Sequence, residues 1–279
     1  MGVQAEPPEV NVAGTIEDFA GRVVVVTGGT SGIGWQCAHR FAERGARVVA
    51  CGVDATELER ASRTADAGIE IERMDVRSES SVKAVLESAA AAADGIDVLV
   101  NCAGIQRFGN ALETTLEDWN DVMQVNVTGA FLAARHAIPL MRRCGGGSIV
   151  NVASIHARVT AGGRVAYVTS KTALIGLTRA LSLDHAGDRI RVNVVLPGTV
   201  ETPMLTDGWA RLRPDRTVEQ MRSEVGAANP LGRIGTPDDV ASAIVFLASD
   251  QAAFVTGAEL VIDGGIVNKL ALPVVPRNT

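Results

Sequence analysis

The sequence predicts an α/β fold in which a mostly parallel sheet of about seven strands is doubly wound, with helices on both faces. Three observations predict it. Short β-branched runs alternate with helix-length segments along most of the chain. The first of these strands runs directly into a glycine-rich turn, "TGGTSGIG". With 279 residues, 47% of them apolar and 29 of them glycine, the chain can bury a large core and turn tightly many times.

The elements follow in order. "GRVVVVTG" is a strand, and "IGWQCAHRFAERG" a helix whose apolar residues recur at helical spacing before Gly45. "ARVVACG" is the second strand, and "DATELERASRTADAG" a polar helix closed by Gly68. "IEIERMDV" and "SSVKAVLESAAAAADG" form the third pair, and "IDVLVNCAG" is the fourth strand. A long helical stretch, "TTLEDWNDVMQVNVTGAFLAARHAIPLMRR", precedes strand five, "GGSIVNVAS". "AYVTSKTALIGLTRALSLDHAG" is the next helix, and "IRVNVVLPG" strand six. The helix "TPDDVASAIVFLASD" then leads to the last strand, "GAELVIDGG". Thr115 with Asp118, and Thr236 followed by Pro237, mark helix starts. Residues 1–18 read as a polar tail without the charged and apolar regions of a signal peptide, 19–268 as one domain, and 269–279 as a second tail. Between strand six and the last helix, 199–226 reads as an inserted lid.

Composition narrows the function classes. A net charge of −6 leaves no basic footprint for nucleic acid. No apolar run is long enough to span a membrane. Cys37, Cys51, Cys102 and Cys144 are widely spaced with no histidine cluster near them, which predicts reduced, buried thiols, a cytoplasmic setting and no metal site.

In a doubly wound sheet, ligands bind beyond the carboxyl ends of the strands, and here those ends are unusual. Gly28, Gly32 and Gly34 sit where strand one turns into a helix, so backbone N–H groups there can approach a pyrophosphate. Asp75 ends strand three, where it is either an adenine ligand or a solvated terminus. "NCAG", Asn101 to Gly104, ends strand four in small residues. Ser154 ends strand five, and Pro197 with Gly198 ends strand six. Tyr167 is the only tyrosine, and Lys171 lies one helical turn beyond it. A chain that packs with tyrosine usually has several; a lone one beside a lysine points to its hydroxyl.

Together these residues make the chain resemble the short-chain dehydrogenase/reductases from about residue 19 to 268. The resemblance implies a Rossmann-like domain that moves a hydride between a nicotinamide cofactor and a secondary alcohol or ketone. The family's TGxxxGIG motif falls on Thr27 to Gly34, so that Gly28, Thr30, Ser31, Gly32, Ile33 and Gly34 face the cofactor. Its NNAG motif falls on Asn101 to Gly104, with Cys102 in place of the second asparagine, and Asn101, Ala103 and Gly104 join the cofactor set, as do Tyr167 and Lys171. Asp75 and Val76 take the adenine, and Pro197, Gly198, Val200 and Thr202 the nicotinamide end. The catalytic set is Asn126, Ser154, Tyr167 and Lys171. A free phenol, with pKa about 10, is a poor base at neutral pH. Bringing it near 7 requires about 4 kcal/mol of preferential phenolate stabilisation, and a neighbouring ammonium is expected to supply much of it. Ser154 would fix the substrate oxygen. Asn126 would hold a helix bend and a water of the proton relay, although a kinked helix alone would also account for it.

Cofactor choice turns on the end of strand two, "ACGVDA". Gly52 stands at the family's usual acidic place, Val53 at its basic one, and Ser31 is neutral, so no cation is there to hold a 2′-phosphate. NAD is favoured over NADP, with Asp54 either a ribose ligand or a helix N-cap. The pocket candidates are Ile105 to Phe108, His156, Arg158, Arg164 and the lid with Trp209. "SIHA" and "LRPDRT" resemble sugar and polyol dehydrogenases of the family, and 3-oxoacyl carrier-protein and steroid reductases are the alternatives. Trp209 is expected either to be exposed and touch substrate or to pack the lid. The family's usual two-fold-symmetric homotetramer is expected, through "NVTGAFLAARHAIPLM" and "AELVIDGG". A catalytically silent nucleotide-binding scaffold is the reading from a different class, and the presence of Tyr167 and Lys171 argues against it.

Overall fold

The computed structural model describes residues 18–91 and 93–269, so the two expected tails lie outside the described residues except for Asp18 and Lys269. Asp18 is part of the fold, paired with Arg44, and Lys269 donates to the Ala228 carbonyl. The chain alternates β1 (Val23–Thr27), α1 (Gly32–Ala42), β2 (Arg47–Gly52), α2 (Ala55–Thr64), β3 (Ile69–Arg73), α3 (Glu79–Ala91) and β4 (Val98–Asn101). It continues through α4 (Leu116–Met123), α5 (Gly129–Arg143), β5 (Gly147–Val152), α6 (Val165–Asp184), β6 (Ile190–Pro197), α7 (Pro203–Leu212), α8 (Val218–Ala228), α9 (Pro237–Ala248) and β7 (Glu259–Ile262).

All seven strands are parallel, in the order β3-β2-β1-β4-β5-β6-β7. The order reverses between β1 and β4, so the switch point opens at Thr27 and Asn101, which are paired in register. Side-chain alternation in β1 sends Val25 to one core with Leu99, Ile149, Leu86 and Met141, and Val24 and Val26 to another with Val100, Val150, Phe41 and Val245. Both faces are covered, which is why β1 reads as an unbroken valine run.

The expected helix starts are present. Thr115 accepts from the Asp118 N–H at 3.0 Å, and Thr236 caps α9 with Pro237 as its first residue. The long stretch 114–143 is not one regular helix. A π-helical turn at Gln124–Thr128, which contains Asn126, separates α4 from α5. Cys37 and Cys51 are buried as expected, but Cys144 at the end of α5 is exposed, because the chain there leaves the helix for the surface turn before β5. No helix of the described residues is long and apolar enough to cross a membrane.

The lid segment contains two capped helices. Thr202 caps α7, with Pro203 opening it, and Thr217 and Gln220 form a capping box at the start of α8. Trp209 is only 8% exposed and packs with Met221 and Ile234, with Leu205 and Val225 against them. Of the two roles expected for Trp209, the packing one is what the structure shows. Its large apolar ring is what gives the two short lid helices a core of their own.

Candidate active site

Parallel β-topology brings the loop ends of β1, β4, β5 and β6 to one edge, and α6 carries the lone tyrosine to it. Tyr167 and Lys171 are one turn apart near the start of α6 and both are buried, Lys171 at 4% exposure. The Lys171 Nζ donates to the Val152 carbonyl at 2.8 Å, at the end of β5. It lies 5.7 Å from the centre of the Tyr167 ring. Burial pulls the ammonium down to about 8. Burial likewise pushes the phenol up, against the Ser154 hydroxyl and the Arg164 charge, which pull it down. The Lys171 ammonium is engaged by the Val152 carbonyl, and desolvation is the largest influence on the phenol.

Ser154 leaves β5 in extended backbone and caps a short 3₁₀ turn, its Oγ accepting from the His156 N–H at 3.2 Å. The same residue is therefore rigid and still has its own hydroxyl proton to donate. The π-helical turn positions Asn126, which is 1% exposed. Its carboxamide accepts from the Ile105 N–H at 2.8 Å, and donates to the Ile105 carbonyl at 3.0 Å and to the Ser170 Oγ at 2.9 Å. Ser170 in turn donates to the Tyr167 carbonyl at 2.7 Å. Asn126 thus ties the loop after β4 to the helix that carries the tyrosine. Ser170, which the sequence reading missed, is the link.

The edge beside these groups has the shape of a dinucleotide cradle. Gly28 has φ +63°, and a Cβ there would lie 2.8 Å from the Ala103 backbone, so only glycine lets the first turn close against the end of β4. Thr27 Oγ1 fixes that approach by accepting from the Cys102 and Ala103 N–H groups, each at 3.2 Å. A Cβ on Gly104 would lie 3.2 Å from the Lys171 Nζ and 3.4 Å from the Asn126 Oδ1. The missing side chain leaves the space into which both polar groups face. Gly32 abuts Thr202, whose Oγ1 caps α7 and donates to the Val200 carbonyl at 3.3 Å, so the first and sixth strand ends meet.

Several predicted residues have partners the sequence did not reveal. Asn101 is 4% exposed; its Nδ2 donates to Asn151 Oδ1 at 2.9 Å and Asn151 donates on to Thr178, so its side chain ties β4 to β5 and α6. Asp75 accepts from the Arg77 backbone and guanidinium, which hold its carboxyl below the usual carboxylate range. Asp54 caps α2, accepting from the Glu57 N–H at 2.9 Å. Gly52 is the residue with no room for the acid common in the family, because a Cβ there would collide with Thr30. Two residues of α2 that the sequence reading passed over cover that site instead. Thr30 Oγ1 donates to Glu57 at 3.2 Å, and Arg60 donates to the Thr30 carbonyl at 2.8 Å. Their i,i+3 spacing on a polar helix was the available signal.

On the substrate side, the His156 ring lies 6.0 Å from the Tyr167 ring, roughly edge to face. Burial and the Arg164 charge hold its pKa below the usual histidine value. Arg164 stacks over Phe108 at 5.4 Å. Arg158 is removed from the pocket set: it points to Glu259 on β7, with which it pairs at 2.8 Å. Trp209, in the lid core, leaves little of its ring free for substrate.

Comparison with known proteins agrees with this geometry. Residues 28–267 match a family profile described as enoyl-(acyl carrier protein) reductase. The chain is a short-chain dehydrogenase/reductase. It is 43% identical to 2-(R)-hydroxypropyl-CoM dehydrogenase of Xanthobacter autotrophicus, over 87% of this chain and 97% of that one. It is 42% identical to cis-4-hydroxycyclohexanecarboxylate dehydrogenase of Sinomonas cyclohexanicum, over 89% of this chain and 98% of that one. Its fold superposes on the ligand-free aldohexose dehydrogenase of Thermoplasma acidophilum with a TM-score of 0.86 and 35% identity, covering 94% of this chain and all of the other. This short-chain dehydrogenase/reductase is an oxidoreductase of CH–OH groups that works with a nicotinamide dinucleotide.

Proposed function

We propose that the enzyme interconverts a small polar secondary alcohol, of the sugar and polyol class, and its ketone, with NAD as the cofactor. The observation that carries the reading is the buried corner in which Ser154, Tyr167 and Lys171 are held by β5 and α6 beside the glycine cradle. The aldohexose dehydrogenase likeness supports the substrate class.

The cofactor, when bound, supplies the hydride acceptor or donor. The backbone from Gly28 to Gly34, including Thr30, Ser31 and Ile33, would hold its pyrophosphate. Asp75 and Val76 would hold the adenine, and Asn101, Ala103 and Gly104 would let it lie close to β4. Lys171 would bind the ribose hydroxyls, and Pro197, Gly198, Val200 and Thr202 the carboxamide end. Glu57, beside Thr30, supplies a negative charge that favours a ribose hydroxyl over a phosphate there, while Arg60, a cation that the structure brings to the same place, is engaged by the Thr30 carbonyl. Asp54 is a second acid near this site.

The chain's own work is positioning and proton transfer. Ser154 donates to the substrate oxygen, and Tyr167 takes the hydroxyl proton in oxidation or returns it to the carbonyl oxygen in reduction. Lys171 stabilises the phenolate electrostatically when charged. Asn126 keeps the Ile105 loop and α6 in register. The helices α7 and α8 act as a lid that excludes water on closing.

A panel of sugars, polyols, 3-oxoesters and steroids, followed by nicotinamide absorbance with each cofactor, tests the reading. Turnover of polyols or sugars with NAD is expected; preference for 3-oxoesters or steroids, or for NADP, would replace it. We also propose a homotetramer, supported by the apolar α5 and β7 segments. Sedimentation showing only monomer at micromolar concentration would overturn that proposal.

A further inference from the structure

Arg164 precedes α6 directly and lies three residues before the reactive tyrosine. Its backbone is pinned: Gly109 bridges to it, with the Gly109 N–H donating to Gly163 at 2.9 Å and Val165 donating to Gly109 at 3.3 Å. Its guanidinium is pinned as well, stacked over Phe108. Phe108 is itself backed by α7, since a Cβ on Gly208 would lie 3.3 Å from the ring. The fork so held is almost unused. Among the described residues, one long bond, Nη1 to the Gly162 carbonyl at 3.3 Å, is its only hydrogen bond, and the buried Nε has no partner. Neighbouring arginines have carboxylates: Arg107 pairs with Asp118 and Asp121, and Arg158 with Glu259. Arg164 has none among the described residues. A second buried donor or acceptor, His156 Nδ1, is also unpartnered on this side of Tyr167.

A fixed, partly desolvated cation without a counter-charge is costly to keep in a fold, unless a ligand completes it. The fork geometry matches two oxygens of one acid group, and neutral hydroxyls would leave the charge uncompensated.

We infer that the substrate carries an anionic group, a carboxylate or a sulfonate, bound by Arg164 while its carbinol oxygen lies between Ser154 and Tyr167. This rests on the hydride-transfer reading and narrows the sugar and polyol class to its acidic members, polyhydroxy acids or their sulfonate counterparts. The Arg164 charge acts on both His156 and Tyr167, so the same residue couples substrate charge to the reactive phenol.

The test uses matched probes titrated calorimetrically into the enzyme saturated with reduced cofactor: cyclohexanecarboxylate against cyclohexanecarboxamide, and butanesulfonate against butanesulfonamide. In at least one pair the anion is expected to bind on the order of 10- to 100-fold tighter than the amide. That gap should close in R164Q and survive in part in R164K, which keeps the charge but not the fork. Two results overturn the inference: neither anion outbinds its neutral partner, or the gap persists in R164Q. The hydride-transfer reading fails separately. It fails if the wild type turns over no alcohol while the binding gap is intact, whereas turnover without a gap sinks only the anion.

Discussion

The two ends of the sheet carry buried or half-buried cations that live in opposite circumstances. At the end where β6 begins, Arg191 donates to the carbonyls of Leu247, Ala248, Ser249 and Val255, and so closes the last turn of α9. Close by, Asp97 accepts from the Val23 N–H at 2.7 Å, and Arg22 pairs with Asp250. At the opposite end, Lys171 has one carbonyl, and Arg164 and His156 keep buried nitrogens with no partner. One end spends its polar groups on holding secondary structure together, and the other keeps them for molecules that arrive. Unsatisfied buried groups are rare enough in folded proteins that their gathering on one edge marks the working side.

The comparison breaks most visibly at Tyr167. Tyr167→Phe removes the proposed proton donor and keeps the ring, so kcat is expected to fall by about three to five orders of magnitude. Thermal melting and cofactor binding should stay near wild type. Ordinary turnover by the purified variant would refute the assignment.

Lys171 offers a test in stability rather than rate. Its folded pKa, about 8, lies below the ordinary lysine value of 10.5. Between those values the unfolded chain holds the proton and the folded chain does not, so stability rises with pH across that window. Below about pH 8 the desolvation penalty is complete. Lys171→Met should therefore be more stable than wild type at pH 7, by at most about 3 kcal/mol, and the difference should shrink towards pH 10.5. Paired denaturant melts at several pH values measure it. A difference that does not change with pH would mean that burial is not what sets this lysine.

At the other end the signs reverse. Arg191→Met takes a donor from four carbonyls, of which Leu247, Val255 and Ser249 keep Ser148, Asn193 and the Ala252 N–H, and should cost about 1–3 kcal/mol of stability, with kcat unchanged. A variant that melts normally but turns over poorly would blur the distinction between the two ends. The smallest effect is expected in the lid. Amide exchange across residues 199–226 should slow modestly when cofactor and substrate are added together, because α7 and α8 already share the Trp209 core. Exchange that is fully blocked in the free enzyme, or unmoved by ligands, would argue against a closing lid.

How much of this was legible in the sequence differs from residue to residue. The valine run of β1 and the capping threonines Thr115 and Thr236 act through neighbours in the chain, and period and cap could be read directly. The proposed pair Tyr167 and Lys171 could be picked out because the two lie one turn apart on α6, and Ser154 because it follows β5, whereas Asn126 entered through the family resemblance. Trp209 was open between two roles, and only the packing of α7 on α8 decided it. Arg158 stood in the same loop as His156, yet a carboxylate on β7, distant in sequence, turned it away. Glu57 and Arg60 looked like an ordinary solvated helix face until the β1 turn came to lie beneath them.

The amino-acid order by itself determined the alternation of strands and helices, the glycine cradle and the Tyr167–Lys171 pair, because each depends on periods and spacings of a few residues. Tertiary structure alone decided which polar groups find partners. Whether Arg191 is satisfied and Arg164 is not depends on which carbonyls and carboxylates folding brings within about 3 Å, and hydrogen bonding and desolvation act only at that range.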